Sequence, residues 1–355
     1  MNYIGSKLSL LEFLENSIDK VVDKNCRVFC DLFAGTGAVG THFKKKGYSV
    51  IANDIQYYSY VLNQQYIANH KPLEFKGLEK LMPSLKELPI ERRKDFVCEY
   101  LSSLKGKKGF IFENYCIGGT QDKEFQRQYF SDENGMKGDA IRQKIQKWKD
   151  DGIINDNEYF FLLTTLLESI DKYANTASVY GAFLKQLKKS ALKPLVLKPS
   201  QLILNDQEHQ VFNDDINKLV RQIKGDILYL DPPYNQRQYS TNYHLLETIA
   251  KYDNPKVYGK TGLRNYEHQK SLYCSRAQVK KVFNDLVQNA KVRYIFLSYN
   301  NEGLMSHEDI KEIMSKRGKY GYFTQEYNRF KADRDVNRDY VAQKTTEYLH
   351  YVVCK

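Results

Sequence analysis

The ten residues DLFAGTGAVG, positions 31 to 40, constrain the fold more than any other stretch. Gly35, Gly37 and Gly40 give the spacing G-x-G-x-x-G. An apolar run, RVFCDLF (27–33), leads into the glycines and reads as a strand. AVGTHFKKKG (38–47) follows with a helical pattern closed by Gly47. A strand that runs into a glycine turn and then a helix opens a βαβ unit, in which the turn lets the backbone approach a ligand closely. YSVIAND (48–54) reads as the second strand and IQYYSYVLNQQYIANH (55–70) as the second helix. A βαβα opening implies a parallel sheet with right-handed crossovers.

The pattern changes after Lys71. Residues 71 to about 200 show few strands and several helical stretches. IRQKIQKW (141–148) places Ile141, Ile145 and Trp148 on one face, and NDNEYFFLLTTLLESIDKY (155–173) is a strongly apolar helix with Asn155 or Asp156 as its cap. The α/β pattern then resumes. HQVFNDDI (209–216) runs from strand to helix, DILYL (226–230) and YIFLSYN (294–300) are buried strands, and NYHLLETIAKY (242–252) and SRAQVKKVFNDLVQNA (275–290) are helical. YGYFTQEYNRF (320–330) and EYLHYVVCK (347–355) read as two β stretches, an antiparallel pair at the sheet edge. The expected architecture is an α/β domain from residues 1–70 and 200–355, interrupted by a mainly helical insertion at 71–199.

A chain of 355 residues suits such a core plus an inserted domain. No apolar run approaches the twenty residues of a membrane span, and the first twenty residues lack the layout of a signal peptide. None of the six cysteines forms a C-x-x-C pair, so neither a zinc site nor a disulfide framework is suggested, and a reduced, cytoplasmic protein is expected. The formal charge of +11 suits attraction to polyphosphate. Many of the 28 tyrosines stand beside basic or amide residues, where a ring offers a face to a base.

Two acids frame the glycine loop. Asp31 ends the first strand, and Asp54 closes the second, where a carboxylate can accept both hydroxyls of a ribose. That arrangement allows NAD and S-adenosylmethionine (SAM) alike. The segment LDPPYNQRQY (230–239), after a strand of the resumed sheet, separates them. Two prolines donate no backbone hydrogen bond and leave carbonyls free to accept. Asp231 adds a carboxylate and Tyr234 an aromatic ring. Two acceptors beside a flat ring match an exocyclic amino group on a stacked base.

Taken in order, NYIGSK near the start, DLFAGTG, the acid in ANDI, a long insertion, FNDDI and DPPY resemble the amino-group DNA methyltransferases, specifically the Dam-like adenine-N6 group. The resemblance covers the α/β part and implies a Rossmann-like SAM-dependent methyltransferase fold: a mostly parallel sheet with an antiparallel C-terminal strand, and a target recognition domain in the insertion. It implies SAM as cofactor and no metal. Tyr3 and Lys7 would line the methionine and target side of the pocket. Asp31, Phe33, Gly35 and Gly37 would wrap the methionine part. Asp54 would hold the ribose with Ile55 on the adenine ring, and Asp215, or its neighbour Asp214, would accept the cofactor's adenine amino group beside Ile216.

Chemistry follows from these residues. The N6 lone pair of adenine is delocalised into the ring. Asp231 and the carbonyl of Pro232 would each accept one amino hydrogen, favouring a tetrahedral nitrogen, while Tyr234 stacks on the base. Direct transfer then needs positioning and electrostatics. Duplex DNA hides N6, so the base must be flipped out, with Tyr239 and Tyr243 as candidates to guard it. In the insertion, Lys107, Lys108, Arg127 and Arg142 are candidate contacts to base edges or phosphates, and KTGLRNYEHQK (260–270) is a further basic loop. The expected partner is duplex DNA, acted on by a monomer, and the resemblance leaves room for a cognate restriction endonuclease encoded nearby. Rivals are an RNA or cytosine-N4 methyltransferase with the same chemistry, an NAD-dependent dehydrogenase, and a non-catalytic DNA-binding protein on this fold.

Overall fold

The computed structural model describes residues 5–328 and 344–355. The chain groups into two compact units. One is built on a sheet, from residues up to 63, 205–239 and 268–355. The other is helical, from residues 64–204 and 240–267.

In the sheet unit, β1 (Val28–Asp31), β2 (Ser49–Asn53), β3 (Gln210–Phe212), β4 (Ile227–Leu230), β7 (Tyr294–Asn300), β8 (Gly318–Asn328) and β9 (Lys344–Cys354) form one sheet in the order β3-β2-β1-β4-β7-β9-β8. Neighbours from β3 to β7 pair in parallel, and β9 is antiparallel to both β7 and β8. β4 is buried along its whole length, which is why DILYL reads as an unbroken apolar run.

The alternation of side chains along each strand feeds two cores. Phe29, Ile227, Tyr229 and Phe296 face one side, with Leu14 and Ile18 of the helix Leu11–Asp19 and Val39 and Phe43 of the helix Ala38–Lys45. Cys30, Leu228, Leu230, Ile295 and Leu297 face the other, with Phe283 and Leu286 of the helix Val279–Asn289 and Ile310 and Met314 of the helix His307–Ser315. The expected α/β class, with its antiparallel C-terminal strand, is the fold observed.

The helical unit is organised around the helices Ile90–Ser103, Asp132–Asp150 and Asp156–Tyr173. Asn155 caps the last of these in a reciprocal capping box with Glu158. Ile141, Ile145 and Trp148 are all buried. A short hairpin, β5 (Val257–Tyr258) with β6 (Leu263–Arg264), also belongs here, as does the helix His244–Lys251. The sequence gives no hint that residues 240–267 group with this unit, since NYHLLETIAKY carries the apolar content of any sheet-covering helix.

Candidate active site

The strand order reverses between β1 and β4, and in open α/β sheets the crevice beyond the carboxyl ends of such strands is where ligands bind. Asp31 ends β1 and Asp231 follows β4, and the register Asp31↔Tyr229 brings both acids to that edge. A cavity of about 350 Å³ opens there, entirely within the sheet unit. Of the residues expected at the site, Lys7, Asp31, Phe33, Gly35, Asp54, Ile55, Asp215, Ile216, Asp231 and Tyr239 line it. Gly37, Pro232 and Tyr234 are not among its lining residues, and Tyr3 lies outside the described residues.

The glycine loop owes its shape to left-handed backbone at Gly35 (φ +52°) and Gly37 (φ +78°). The amide of Gly37 donates to the carbonyl of Ala34 at 2.7 Å, closing the turn. A Cβ on Gly37 would stand 2.7 Å from Oδ1 of Asn63. Asn63 holds the loop by donating to the carbonyl of Gly35 at 3.0 Å, a role the sequence did not signal.

Asp31 is buried. Its Oδ2 accepts the amide of Gly40 at 2.9 Å, and its Oδ1 has no hydrogen-bond partner. Burial pushes its carboxyl up to about 7, the Gly40 amide opposes this, and the charges of Asp231 and Asp54 add to it. A buried carboxylate oxygen without a partner, on a cavity wall, is matched by a cationic hydrogen-bond donor. Asp54 takes one amide on each oxygen, Gly35 at 2.9 Å and Gln56 at 2.8 Å. Asp215 caps the helix Ile216–Leu219 through the amide of Lys218, while the more exposed Asp214 accepts the amide of Asp215. One wall was not foreseen. Tyr273 meets Phe33 edge-on with ring centres 4.9 Å apart, and donates to Asn217, which in turn donates to Asp285.

At the other end of the cavity, four polar side chains converge. Nζ of Lys7 lies 2.7 Å from the Tyr234 hydroxyl, 3.0 Å from Oδ1 of Asp231 and 3.2 Å from Oε1 of Glu347. The Tyr234 hydroxyl is 2.8 Å from Oδ1 of Asp231 and 2.7 Å from Oε1 of Glu347. Burial pushes the Asp231 carboxyl up, the Lys7 ammonium pulls it back, and Glu347 pushes it further up. Burial and the two carboxylates also drive the Tyr234 hydroxyl upward, so it stays protonated. Glu347 escaped the sequence reading because it is one polar residue at the start of an apolar strand, with no spacing to tie it to DPPY.

In the helical unit the basic residues separate into two kinds. Lys107 and Lys108 are exposed, the first donating to Gln143 and the second resting over the Phe112 ring. Arg127 and Arg142 are corrected as DNA contacts, because both are buried and donate to groups inside the unit. Arg127 donates to the carbonyls of Asn114, Gly259 and Lys260, pinning the loop between β5 and β6. Arg142 donates to the carbonyls of Ile249 and Ala250. Tyr243 is a core residue, fully buried, and so is corrected as a guard of the base.

Among the described residues no helix is long and apolar enough to cross a membrane, and no group of three or more His, Cys, Asp or Glu side chains is placed to hold a metal ion. The sheet order with its reversed strand, the glycine loop, and a cavity lined by Asp31, with its unpartnered oxygen, and by Asp54 fit a Rossmann-like SAM-dependent methyltransferase. The amino-acid pattern of the site fits SAM, whose ammonium suits Asp31 and whose ribose hydroxyls suit Asp54.

The chain belongs to the D12 class of N6 adenine-specific DNA methyltransferases, whose family model matches residues 3–313. It is 51% identical over 352 residues to the Type II methyltransferase M.NlaIII of Neisseria lactamica, covering 99% of this chain and 98% of that protein. It is 38% identical over 356 residues to the Type II methyltransferase M.FokI of Planomicrobium okeanokoites, covering 99% of this chain but only 52% of that relative. The Type II methyltransferase M.CviAII of Paramecium bursaria Chlorella virus 1 is 35% identical over 355 residues, covering 99% of this chain and 98% of its own. The protein is thus an adenine-specific DNA methyltransferase that uses SAM, as the motif order implied.

Proposed function

We propose that this chain is the site-specific modification enzyme of a restriction–modification system, methylating adenine N6 in one short sequence of duplex DNA. The observation that carries the reading is Asp231, a carboxylate at the end of β4 on the wall of the cavity, with one oxygen held by Lys7 and Tyr234. Its other oxygen accepts one amino hydrogen of the flipped adenine, and the carbonyl of Pro232 accepts the second. Those two acceptors draw the N6 lone pair out of the ring, so positioning and electrostatics carry the catalysis. Bound SAM supplies the methyl group on a sulfonium. Asp31 and Lys7 would hold its amino-acid end, Asp54 its ribose, and Ile55, Ile216 and Asp215 its adenine.

The helical unit serves as the target recognition part, with exposed Lys107 and Lys108 for phosphates, and Tyr239 on the cavity wall borders the flipped base. The enzyme acts as a monomer in the cytoplasm, since one methylation per event needs no two-fold symmetry, and its companion is an endonuclease of the same specificity.

The test is to methylate mixed duplex DNA with labelled SAM, digest it, identify the modified nucleoside and map the modified positions. N6-methyladenine confined to one sequence context, and lost in Asp231→Ala with SAM affinity kept, is the expected result. Methylation scattered over all contexts would sink the site-specific reading, and full activity of Asp231→Ala would remove Asp231 from the mechanism.

A further inference from the structure

Glu347 lies opposite Asn300 at the end of β7. Because β9 runs against the parallel strands, its first residues stand at the edge where those strands finish. That reversal delivers a residue near the end of the chain to the DPPY turn. The Glu347 side chain is fully buried. Burying a carboxylate costs several kcal/mol unless its partners are well placed. Here the charged partner is Lys7, the donor is the Tyr234 hydroxyl, and Oε2 has no hydrogen-bond partner. A carboxylate kept buried with one oxygen idle does little for stability that an apolar residue would not do better.

We infer that Glu347 is a positioning residue for methyl transfer: with Lys7 it clamps the Tyr234 hydroxyl against Oδ1 of Asp231, so that Oδ2 of Asp231 stays set for the target amino group. The inference rests on the role proposed above for Asp231. The Tyr234 hydroxyl has a single proton and two carboxylate acceptors, at 2.8 and 2.7 Å. It can donate to one at a time, while Lys7 approaches its lone pair. Lys7, within 3.2 Å of all three oxygens, holds the group together while Glu347 anchors the ammonium and hydroxyl from the β9 side. Two carboxylates and one ammonium leave the cluster with one net negative charge, beside the atom that gains positive charge as it is methylated.

Charge gives a readout that shape alone does not. The groups facing Asp231 are Lys7 before the first helix, Asp31 on β1, Tyr229 on β4, Tyr234 and Tyr239 after β4, and Glu347 on β9. Among them Glu347 raises the pH at which Asp231 takes up a proton, so removing its charge lowers that pH.

The experiment measures single-turnover N6 methylation against pH, at saturating SAM and DNA, for the wild type, Glu347→Gln, Glu347→Asp and Asp231→Ala. SAM affinity and thermal melting are measured beside it. Glu347→Gln is expected to slow transfer about 10- to 100-fold, to leave SAM affinity within about twofold, and to move the acid limb to lower pH. Glu347→Asp, which keeps the charge, is expected to recover part of the rate with the limb unmoved. Wild-type rate in Glu347→Gln, or a slow enzyme with an unmoved limb, would overturn the inference. Should Glu347→Gln melt below the assay temperature, Tyr234→Phe decides. That change keeps the ring and removes the bridging hydroxyl, so a drop of about tenfold or more supports the clamp and wild-type rate overturns it. An active Asp231→Ala would instead defeat the reading of Asp231. An inactive Asp231→Ala beside a wild-type Glu347→Gln defeats the clamp alone.

Discussion

Asp139 in the helical unit and Asp31 in the sheet unit are both buried aspartates on which burial acts most strongly, pushing one carboxyl up to about 6 and the other to about 7. They differ in how their oxygens are used. Asp139 accepts the amides of Ile111 and Phe112, each at 2.9 Å, and the hydroxyl of Tyr252 at 2.6 Å. It fastens the start of the helix Phe110–Tyr115, and both its oxygens are occupied. Asp31, on the cavity lining, spends one oxygen on Gly40 and leaves the other without a hydrogen-bond partner. The buried cations differ in what they hold. Arg127 and Arg142 donate to groups of the helical unit itself, whereas Lys7 meets Asp231, Tyr234 and Glu347 at the catalytic edge. Burial and a displaced titration therefore do not by themselves mark a site. Unspent hydrogen-bonding capacity on a cavity wall does.

The largest effect expected from this division is on turnover. Asp231→Ala should lower the transfer rate at least about 10³-fold, roughly 4 kcal/mol of transition-state stabilisation, with SAM affinity retained in a binding titration. Arg142→Ala should act in the opposite manner. It strands the carbonyls of Ile249 and Ala250, so denaturant unfolding should show a loss of roughly 3 kcal/mol, with DNA affinity unchanged when assayed well below the melting point. If Arg142→Ala weakened DNA binding at unchanged stability, the distinction between bracing and functional cations would fail.

Asp31 offers a pH test with two signs. Its carboxyl is raised well above the unfolded value of about 4, so in the ligand-free protein its contribution to stability is fully present below that pH and is lost as pH rises through about 7. SAM binding runs the other way, because an ammonium pairs with the ionised carboxylate. Affinity should weaken as pH falls below about 7, by up to about tenfold per pH unit. Asp31→Asn should bind more weakly and flatten that dependence, and a wild-type affinity that is flat from pH 8 to 5.5 would remove Asp31 from the cofactor's partners. The smallest change belongs to a cap remote from the cavity: Asn155→Ala should cost about 1 kcal/mol in thermal or denaturant unfolding and leave turnover untouched.

Much of the sheet unit was legible because its physics is local. A strand, a glycine turn and a helix follow one another within twenty residues, and buried parallel strands are apolar throughout, so β1, β2, β4 and β7 stand out in the sequence. DPPY is likewise a contiguous signal. What could not be read depends on contacts distant in sequence. Asn63 supports the glycine loop from a helix that follows β2, and Asn217, Tyr273 and Asp285 build a cavity wall from three separate segments. Glu347 reaches the site only through the reversal of β9. In the helical unit, Arg127 and Arg142 had the composition of nucleic-acid contacts, and only their partners showed that they brace the fold.

The placement of β9 has a consequence for the timing of synthesis. Lys7 leaves the ribosome long before Glu347. A nascent chain can build the glycine loop and the DPPY turn early, yet the cluster around Asp231 stays incomplete until β9 has been made and inserted between β7 and β8. Fragments that stop short of β9 should therefore bind cofactor better than they turn over. The order of synthesis thus separates assembly of the glycine loop from completion of the cluster around Asp231.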